Sequence, residues 1–486
     1  MKKIILLVGI SFLSLISCES DITSLNVNPK APIENPSSAY LFSSGVVTAL
    51  NQMNTLNVNR SIFRHLTHQL ADVTYREGTR YNFRRRDIAD AHWNQLYSAL
   101  NTLETSKKII QNEGLSSNVA KNRLAMIDAM QVYIYQILVD SYGNIPYSQA
   151  LQVDKYLSPK YDDGLTIYKD LIVRIDKDLA ALDSSSEGFG TDDVLYHGDV
   201  ALWKKFINSV KLKIGINLAD VDATLSKSTV ESAYSSGVFT SNSDSAIIKY
   251  QPTGVFTSPI YADLVLSGRV DFCATSTIIN YMKAGNDPRI SKYFSTAASG
   301  TNAGQYVGGA FGLNPTAAQT LSLINPSISV ADGLGYLTDY VEIKFILAEA
   351  AARGYSVGGT VATHFDEAIS AWFSAILGFS ARLVYMPDES HRKVDTDYSI
   401  SSSDVTSFSD AYPFLIIGQS SLDDLNNRLK SPINMSRFRP NFVFTGGEPY
   451  EEDTWREFNI GTLLFYGVKP CGRCVMTTID QERGVI

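Results

Sequence analysis

Several sets of side chains in this sequence have the types and spacing for chemistry. Cys471 and Cys474 enclose Gly472 and Arg473 in a CxxC pattern, which suits a redox dithiol or half of a zinc site. His65, His68 and Asp72 stand at i, i+3 and i+7. On one helix they share a face and can ligate a metal, although a solvated polar face is the plainer reading. Tyr75, Tyr81 and Trp93 flank a polar, Gly-containing turn and offer flat rings for stacking on a sugar; Trp93 also fits a helix core. Arg84, Arg85 and Arg86, with Arg76 and Arg80 nearby, form a basic run that reads as a solvated or partner-facing loop. No Ser/His/Asp set or paired-carboxylate motif stands out.

These residues ride on 486 residues, room for about two to three ordinary domains. A net charge of -8 argues against a nucleic-acid partner, which needs a basic face. The start carries an address. Lys2 and Lys3 precede a 13-residue apolar run, Ile4 to Ile16, too short for a membrane-spanning helix of roughly 20 residues. It reads as a signal peptide over 1–17. Leu15-Ile16-Ser17-Cys18 resembles a bacterial lipobox, making Cys18 the lipidation site and 18–36 a flexible spacer. Acyl chains on Cys18 would anchor the mature protein to a membrane surface. Glu19 and Asp21 resemble the surface-export signal of Bacteroidetes lipoproteins. With Cys18 lipidated, no four-thiolate zinc site remains among Cys18, Cys273, Cys471 and Cys474.

Helical periodicity dominates the next three hundred residues. Apolar positions recur at helical spacing over 37–53, 60–73, 88–113, 118–141, 164–182, 199–219 and 338–353. In 199–219, Leu202, Phe206, Val210 and Ile214 recur every four residues. Helix pairs joined by turns predict a stacked helical-hairpin body. From about 237 to 335, Gly, Ser, Thr and Asn dominate, and Ser299 to Gly312 holds five glycines. Long loops on a helical frame are where ligand contacts are expected.

Specific motifs then accumulate. Leu25-Asn26-Val27-Asn28-Pro29, Asp140 to Ala150 (DSYGNIPYSQA), Pro159-Lys160-Tyr161-Asp162, Trp203-Lys204-Lys205-Phe206, Asp287-Pro288-Arg289-Ile290 and Val341 to Tyr355 occur in that order. Together they resemble the SusD/RagB family. The resemblance implies a mainly α fold with tetratricopeptide-like hairpins and long loops over 37–370. It further implies an outer-membrane lipoprotein, exposed at the cell surface, that captures a glycan or other nutrient for a SusC-like TonB-dependent transporter. Such proteins are binders without a cofactor, not enzymes. Within the DSYGNIPYS turn, Gly143 is suited to release the chain from a helix, and Pro146 biases Ile145 towards an extended conformation.

After about residue 371 the texture turns to strands at 381–385, 414–417, 442–444, 462–466 and 474–479, with a short helix over 421–429; such strands suit a small barrel. Asp410 to Leu415, Ser420 to Asn426, Arg437-Phe438-Arg439-Pro440-Asn441, Glu452 to Trp455 and Lys469 to Cys474 resemble a MOSC domain of molybdenum-dependent reductases. The resemblance implies a β-rich partial barrel over 371–486. It makes Cys474 the molybdenum ligand and places Arg439, Asn441 and Gly472 against the molybdenum cofactor. Gly472 stands where relatives often carry Ser. The alternative function this implies is an oxidoreductase acting on N-oxygenated substrates, inactive in shortened form. Both family patterns are expected to be incomplete here. A lipoprotein leader and a cofactor inserted in the cytoplasm belong to different compartments, and no linker marks the junction near Ala371. The expectation is a chimera of two genes.

Overall fold

The computed structural model describes residues 36–55, 64–82, 88–313, 317–382, 384, 386–387, 389–406, 412, 414–473 and 475–479. These fall in two compact units, Met1–Arg382 and Leu383–Ile486.

The first unit is a stack of helical hairpins whose starts are written in the sequence. Helix α1 (Ser38–Asn54) begins where the Ser37 hydroxyl accepts the Tyr40 N–H. It buries Phe42, Val46, Ala49 and Leu50 against α2 (Ile88–Ile110). Gly45 makes that approach close, since a Cβ there would stand 2.7 Å from Leu103 Cγ. Helix α3 (Ser117–Tyr142) is buried over most of its circumference and ends on Gly143 at φ 74°, whose N–H donates to the Val139 carbonyl. The chain then extends through β2 (Ile145–Pro146), following β1 (Leu70–Asp72) in sequence, and pairs antiparallel with β3 (Tyr161–Asp162). Helix α4 (Gly164–Ala181), capped by Asp163, returns along α3.

Helices α5 (Val200–Asn217) and α6 (Ala223–Ser236) make the next hairpin, capped by Asp199 and Asp222. At the centre Trp203 is fully buried. Its ring packs near Phe42, Tyr196 and Phe206, and its Nε1–H donates to Asp193 Oδ2 at 2.7 Å. Burying each such large side chain stabilises the fold by about 1.5–3 kcal/mol before entropy is counted.

The long connection beyond α6 is stitched by short strands and short helical segments, the longest being Ser276–Ala284. Strand β4 (Ala246–Lys249) pairs antiparallel with β6 (Leu334–Thr338), and β1 with β5 (Phe272–Ala274). Helix α7 (Ser276–Ala284) follows β5, and Leu70, Phe272, Ile279, Met282 and Phe294 form a small core of their own. The final hairpin is α8 (Tyr340–Ala352) against α9 (Val361–Leu377). Ala371 lies buried within α9, which runs on to Gly378 at φ 73°.

One expected helix is corrected. Over 60–73, the described part is helical only at Arg64–Leu66, turns at His68 (φ 54°) and continues as β1. A left-handed residue cannot continue a helix, and three consecutive inward residues, Leu70, Ala71 and Asp72, suit a strand buried on both faces. Residues 56–63 lie outside the described part.

The second unit has a thin interior. Strand β9 (Ile416–Gly418) pairs parallel with β10 (Phe442–Phe444), with α10 (Gln419–Arg428) leaving β9 directly. Strands β7 (Arg392–Lys393) and β8 (Val405–Thr406) pair antiparallel, and β11 (Glu457–Ile460) turns at Gly461 (φ 61°) into β12 (Leu463–Tyr466). Phe414, Phe442, Phe458 and Phe465 cluster over these strands. Among the described residues each sheet has two strands and no barrel closes. The strand expected over 474–479 is corrected to a 3-10 turn at Val475–Thr478. Residues 383 and 385 of the expected strand at 381–385 lie outside the described part. The chain is thus mainly α, with short strands gathered in its loops and second unit.

Candidate ligand-binding surface

The residues singled out for ring stacking separate into distinct surroundings. Trp93 is half-buried on α2, 4.8 Å from the Tyr97 ring, 5.0 Å edge-on to Tyr142 and 6.0 Å from Tyr161, with which it stacks. Tyr97 donates to the Pro146 carbonyl and Tyr142 to the Ala89 carbonyl, so this cluster ties α2 to the turn after α3. Burial pushes both phenols above the ordinary tyrosine range. Only Tyr161 presents much of its ring to solvent there.

Tyr81 lies elsewhere, where the turn before α2 meets the Gly-rich loop before β6. Its side chain is 53% exposed, enough to offer a ring face. Phe311 stands 5.7 Å away and stacks on His68 at 4.1 Å with an interplanar angle of 14°. His68 Nε2 reaches the Tyr81 hydroxyl at 3.3 Å, and His68 Nδ1 faces Thr277 Oγ1 at 3.5 Å. Arg80 Nε donates to the Gly312 carbonyl at 3.1 Å, clamping the two loops together. His68 and Tyr81 both hold left-handed φ, 54° and 57°. Each costs on the order of 1–2 kcal/mol relative to ordinary backbone, and the two strained residues touch each other. Tyr75, on the same segment, faces the Arg269 guanidinium at 5.1 Å, and Arg269 Nε is held by Asp271 at 2.9 Å.

Behind this surface, His65 is fully buried with Nε2 3.3 Å from Asp72 Oδ1. Asp72 Oδ2 accepts from the Thr79 amide at 3.1 Å and hydroxyl at 3.2 Å. His65, His68 and Asp72 therefore do not share a helix face, and the solvated-face reading is also corrected. His65 and Asp72 form an internal brace under the turn that carries Tyr75 and Tyr81. Among the described residues no group of three or more His, Cys, Asp or Glu is arranged to hold a metal ion. Cys273 is buried, and burial pushes its thiol up to about 11, which suits a packing residue. His68, named as a candidate metal ligand, packs instead against Phe311 and Tyr81; Phe311 and Arg269 were not foreseen, and the available signal for Phe311 was the glycine-rich stretch ending at Gly312.

In the second unit Arg439, Asn441 and Gly472 are exposed. Arg439 holds φ 52° at the end of a 3-10 turn, Met435–Phe438. Asn441 is partly committed, since its Oδ1 accepts the Leu415 N–H at 2.9 Å and its own N–H donates to the Leu415 carbonyl. That leaves its amide NH2 as a donor. Arg473 lies over the Phe438 ring at 5.2 Å. Cys18, Cys474 and Arg84 to Arg86 lie outside the described residues.

Comparison with known proteins divides the chain between two families at a boundary that falls inside the second unit. The family described as "Starch-binding associating with outer membrane" matches residues 29–404. The chain belongs to that SusD-like family. A MOSC domain matches residues 403–485, so two families are joined in one chain, as a chimera would be. A solved chitin-binding protein superposes with a TM-score of 0.58 at 22% identity, covering 72% of this chain and 77% of that one. A structure titled "Bacteroidetes AC2a SusD-like" gives 0.59 at 20% identity, covering 72% and 79%. Human mitochondrial amidoxime-reducing component 1 is 37% identical over 125 residues, 25% of this chain and 36% of the relative. The chain thus spans little more than a third of that curated relative.

Proposed function

We propose that this chain is a lipid-anchored outer-membrane protein that captures an oligosaccharide or related nutrient and passes it to a SusC-like TonB-dependent transporter. The family match over residues 29–404 carries the reading. The Tyr81–Phe311–His68 cluster supports it, because a sugar needs an aromatic face for its C–H side and polar groups for its hydroxyls. Tyr81 supplies the exposed face. Thr277, His68 and Arg80 supply polar groups, and Tyr75 with Arg269 extends the surface. Trp93 contributes by holding α2 to the β2–β3 turn rather than by presenting a free face. Among the described residues no helix is long and apolar enough to cross a membrane. Cys18 is the proposed anchor.

Affinity electrophoresis of the full chain through gels containing starch or chitin fragments tests the binding. Retardation by either glycan, lost in Tyr81→Ala with Phe311→Ala, is the expected result. Retardation unchanged in that double variant assigns binding to another surface. Palmitate labelling lost in Cys18→Ala tests the anchor.

A second reading is favoured by the MOSC match at residues 403–485. Arg439 and the amide NH2 of Asn441 are exposed donors that fit the phosphate of a pterin cofactor, with Gly472 leaving its backbone open to approach. Cys474 would hold the molybdenum, and that group would supply two-electron redox chemistry to N-oxygenated substrates. Metal analysis of purified native chain and Cys474→Ala tests this segment independently of the glycan surface.

A further inference from the structure

The hairpin of α8 and α9 leaves much of its apolar surface uncovered. Of the 17 residues of α9, only His364, Ala368 and Ala371 are buried, and this narrow side seats the helix on the rest of its unit. A second apolar row runs along the same helix. Val361, Phe365, Ile369 and Phe373 follow one another at every fourth residue, and Ile376 comes three residues later. At 3.6 residues per turn these five share one arc of roughly 120°, into which no polar residue of α9 falls. Asp366, Glu367, Ser370 and Ser374 all stand outside it.

This row faces solvent. Val361, Phe365, Phe373 and Ile376 are 37–61% exposed, and Ile369 is half-buried between them. Phe345 carries the row onto α8, where its 40% exposed ring meets the Phe365 ring edge-on at 5.6 Å. Single exposed apolar residues are ordinary on any protein, but a continuous row marks a surface that pairs with something. Weighted by their exposure, these side chains present roughly 500 Å² of apolar area. That is at the upper end of the patches found on monomers, roughly 300–600 Å².

We propose that this face is an interface between two copies of the chain, which pack α9 against α9 across a two-fold axis near Ile369. Area supports a second copy as the occupant. Two such faces together remove roughly 1,000 Å² from water, the size at which a specific interface becomes stable. Shape supports it as well. A ridge of every-fourth residues packs into the groove beside the same ridge of another helix, the commonest class of helix crossing, and the arrangement is self-complementary. A lipid surface is disfavoured, because α9 carries Asp366 and Glu367 and no Lys or Arg, whereas helices that lie on membranes depend on basic residues. A small molecule is disfavoured because a convex ridge encloses no volume.

Sedimentation velocity of the full chain tests the pairing. Cys18→Ala is included throughout, so that no acyl chain contributes to association. Between about 1 and 100 μM the expected result is a reversible monomer–dimer equilibrium that stops at two copies. Raising sodium chloride to about 0.5 M should leave the dimer intact, since its contacts are apolar. Phe365→Lys and Ile376→Lys, each at an exposed position, should weaken the dimer at least tenfold with circular dichroism unchanged. Leu157→Lys, in an exposed loop of the same unit, should dimerise as the native chain does. A chain that remains monomeric across the range would overturn the proposal and assign the row to cover from within the chain. Association that continues beyond two copies would overturn it in favour of non-specific aggregation. A dimer that persists at full strength in both lysine variants would overturn it by placing the interface elsewhere. Should one lysine variant fail to fold, the other decides.

Discussion

Replacing Asp178 with Asn should flatten the pH dependence of stability in the helical unit. In the folded chain burial first, and then the Asp128 charge, push the Asp178 carboxyl up to about 9, whereas in the unfolded chain it titrates near the ordinary value of 3.8. Between those limits the folded state holds a proton that the unfolded state has lost. The stability associated with that proton is fully present below the unfolded value and is lost as pH rises towards the folded one. The slope is at most that of one proton per pH unit, on the order of 1 kcal/mol per unit and so roughly 2–3 kcal/mol between pH 6 and 8. Asn is neutral throughout, and its amide can donate to Asp128 in place of the acid proton. The variant should therefore gain on the native chain steadily from pH 6 to pH 8. Guanidinium denaturation followed by far-ultraviolet circular dichroism at pH 6, 7 and 8 reads this directly, since the helices lie almost wholly in the first unit. Parallel native and variant profiles across that range would refute the reasoning.

Other perturbations separate the contributions to the fold. Gly215→Ala should destabilise by about 1–3 kcal/mol in denaturant titration, because its Cβ would stand 2.9 Å from Val230 Cγ2 and 3.1 Å from the Val230 amide nitrogen. Trp203→Phe should cost about 1–3 kcal/mol beyond the lost packing, since buried Asp193 would keep only the Leu195 and Gly198 amides as donors; thermal melts check it. Asp199→Ala removes the acceptor for the Ala201 and Leu202 amides and should cost about 1 kcal/mol by the same melts. One long sequencing read across the codons for residues 340–410 of the source genome tests the chimera. Separate molecules for the two halves are expected, and one molecule carrying both in frame would contradict it.

Helix starts were legible because a single residue type announces each one. Ser37, Asp163 and Asp199 stand at the caps, and Gly143 ends α3 as its lack of a Cβ allows. Helix α6 escaped notice because its buried face is Ser226, Thr229, Val230 and Ala233, a stripe with little hydrophobic contrast. The break at His68 was hidden for another reason. A left-handed backbone at a non-glycine residue is imposed by tertiary contacts, here with Tyr81 and Phe311. The pairing of Tyr81 with Phe311 and of Asp128 with Asp178 joins residues far apart in the chain. Local periodicity carries no information about such meetings. The motifs that named the two families were visible precisely where backbone geometry or a site constrains residue type locally, as at Gly143 and Pro146.

Glycan capture by the surface around Tyr81 is the proposed role on which the functional reading turns. Affinity electrophoresis of the native chain beside Tyr81→Ala with Phe311→Ala, in starch and chitin-fragment gels, tests it most directly. Retardation of the native chain by at least one glycan and its loss in the double variant, with circular dichroism unchanged, is the expected result. Equal mobility of native and variant chains in every glycan gel would contradict it.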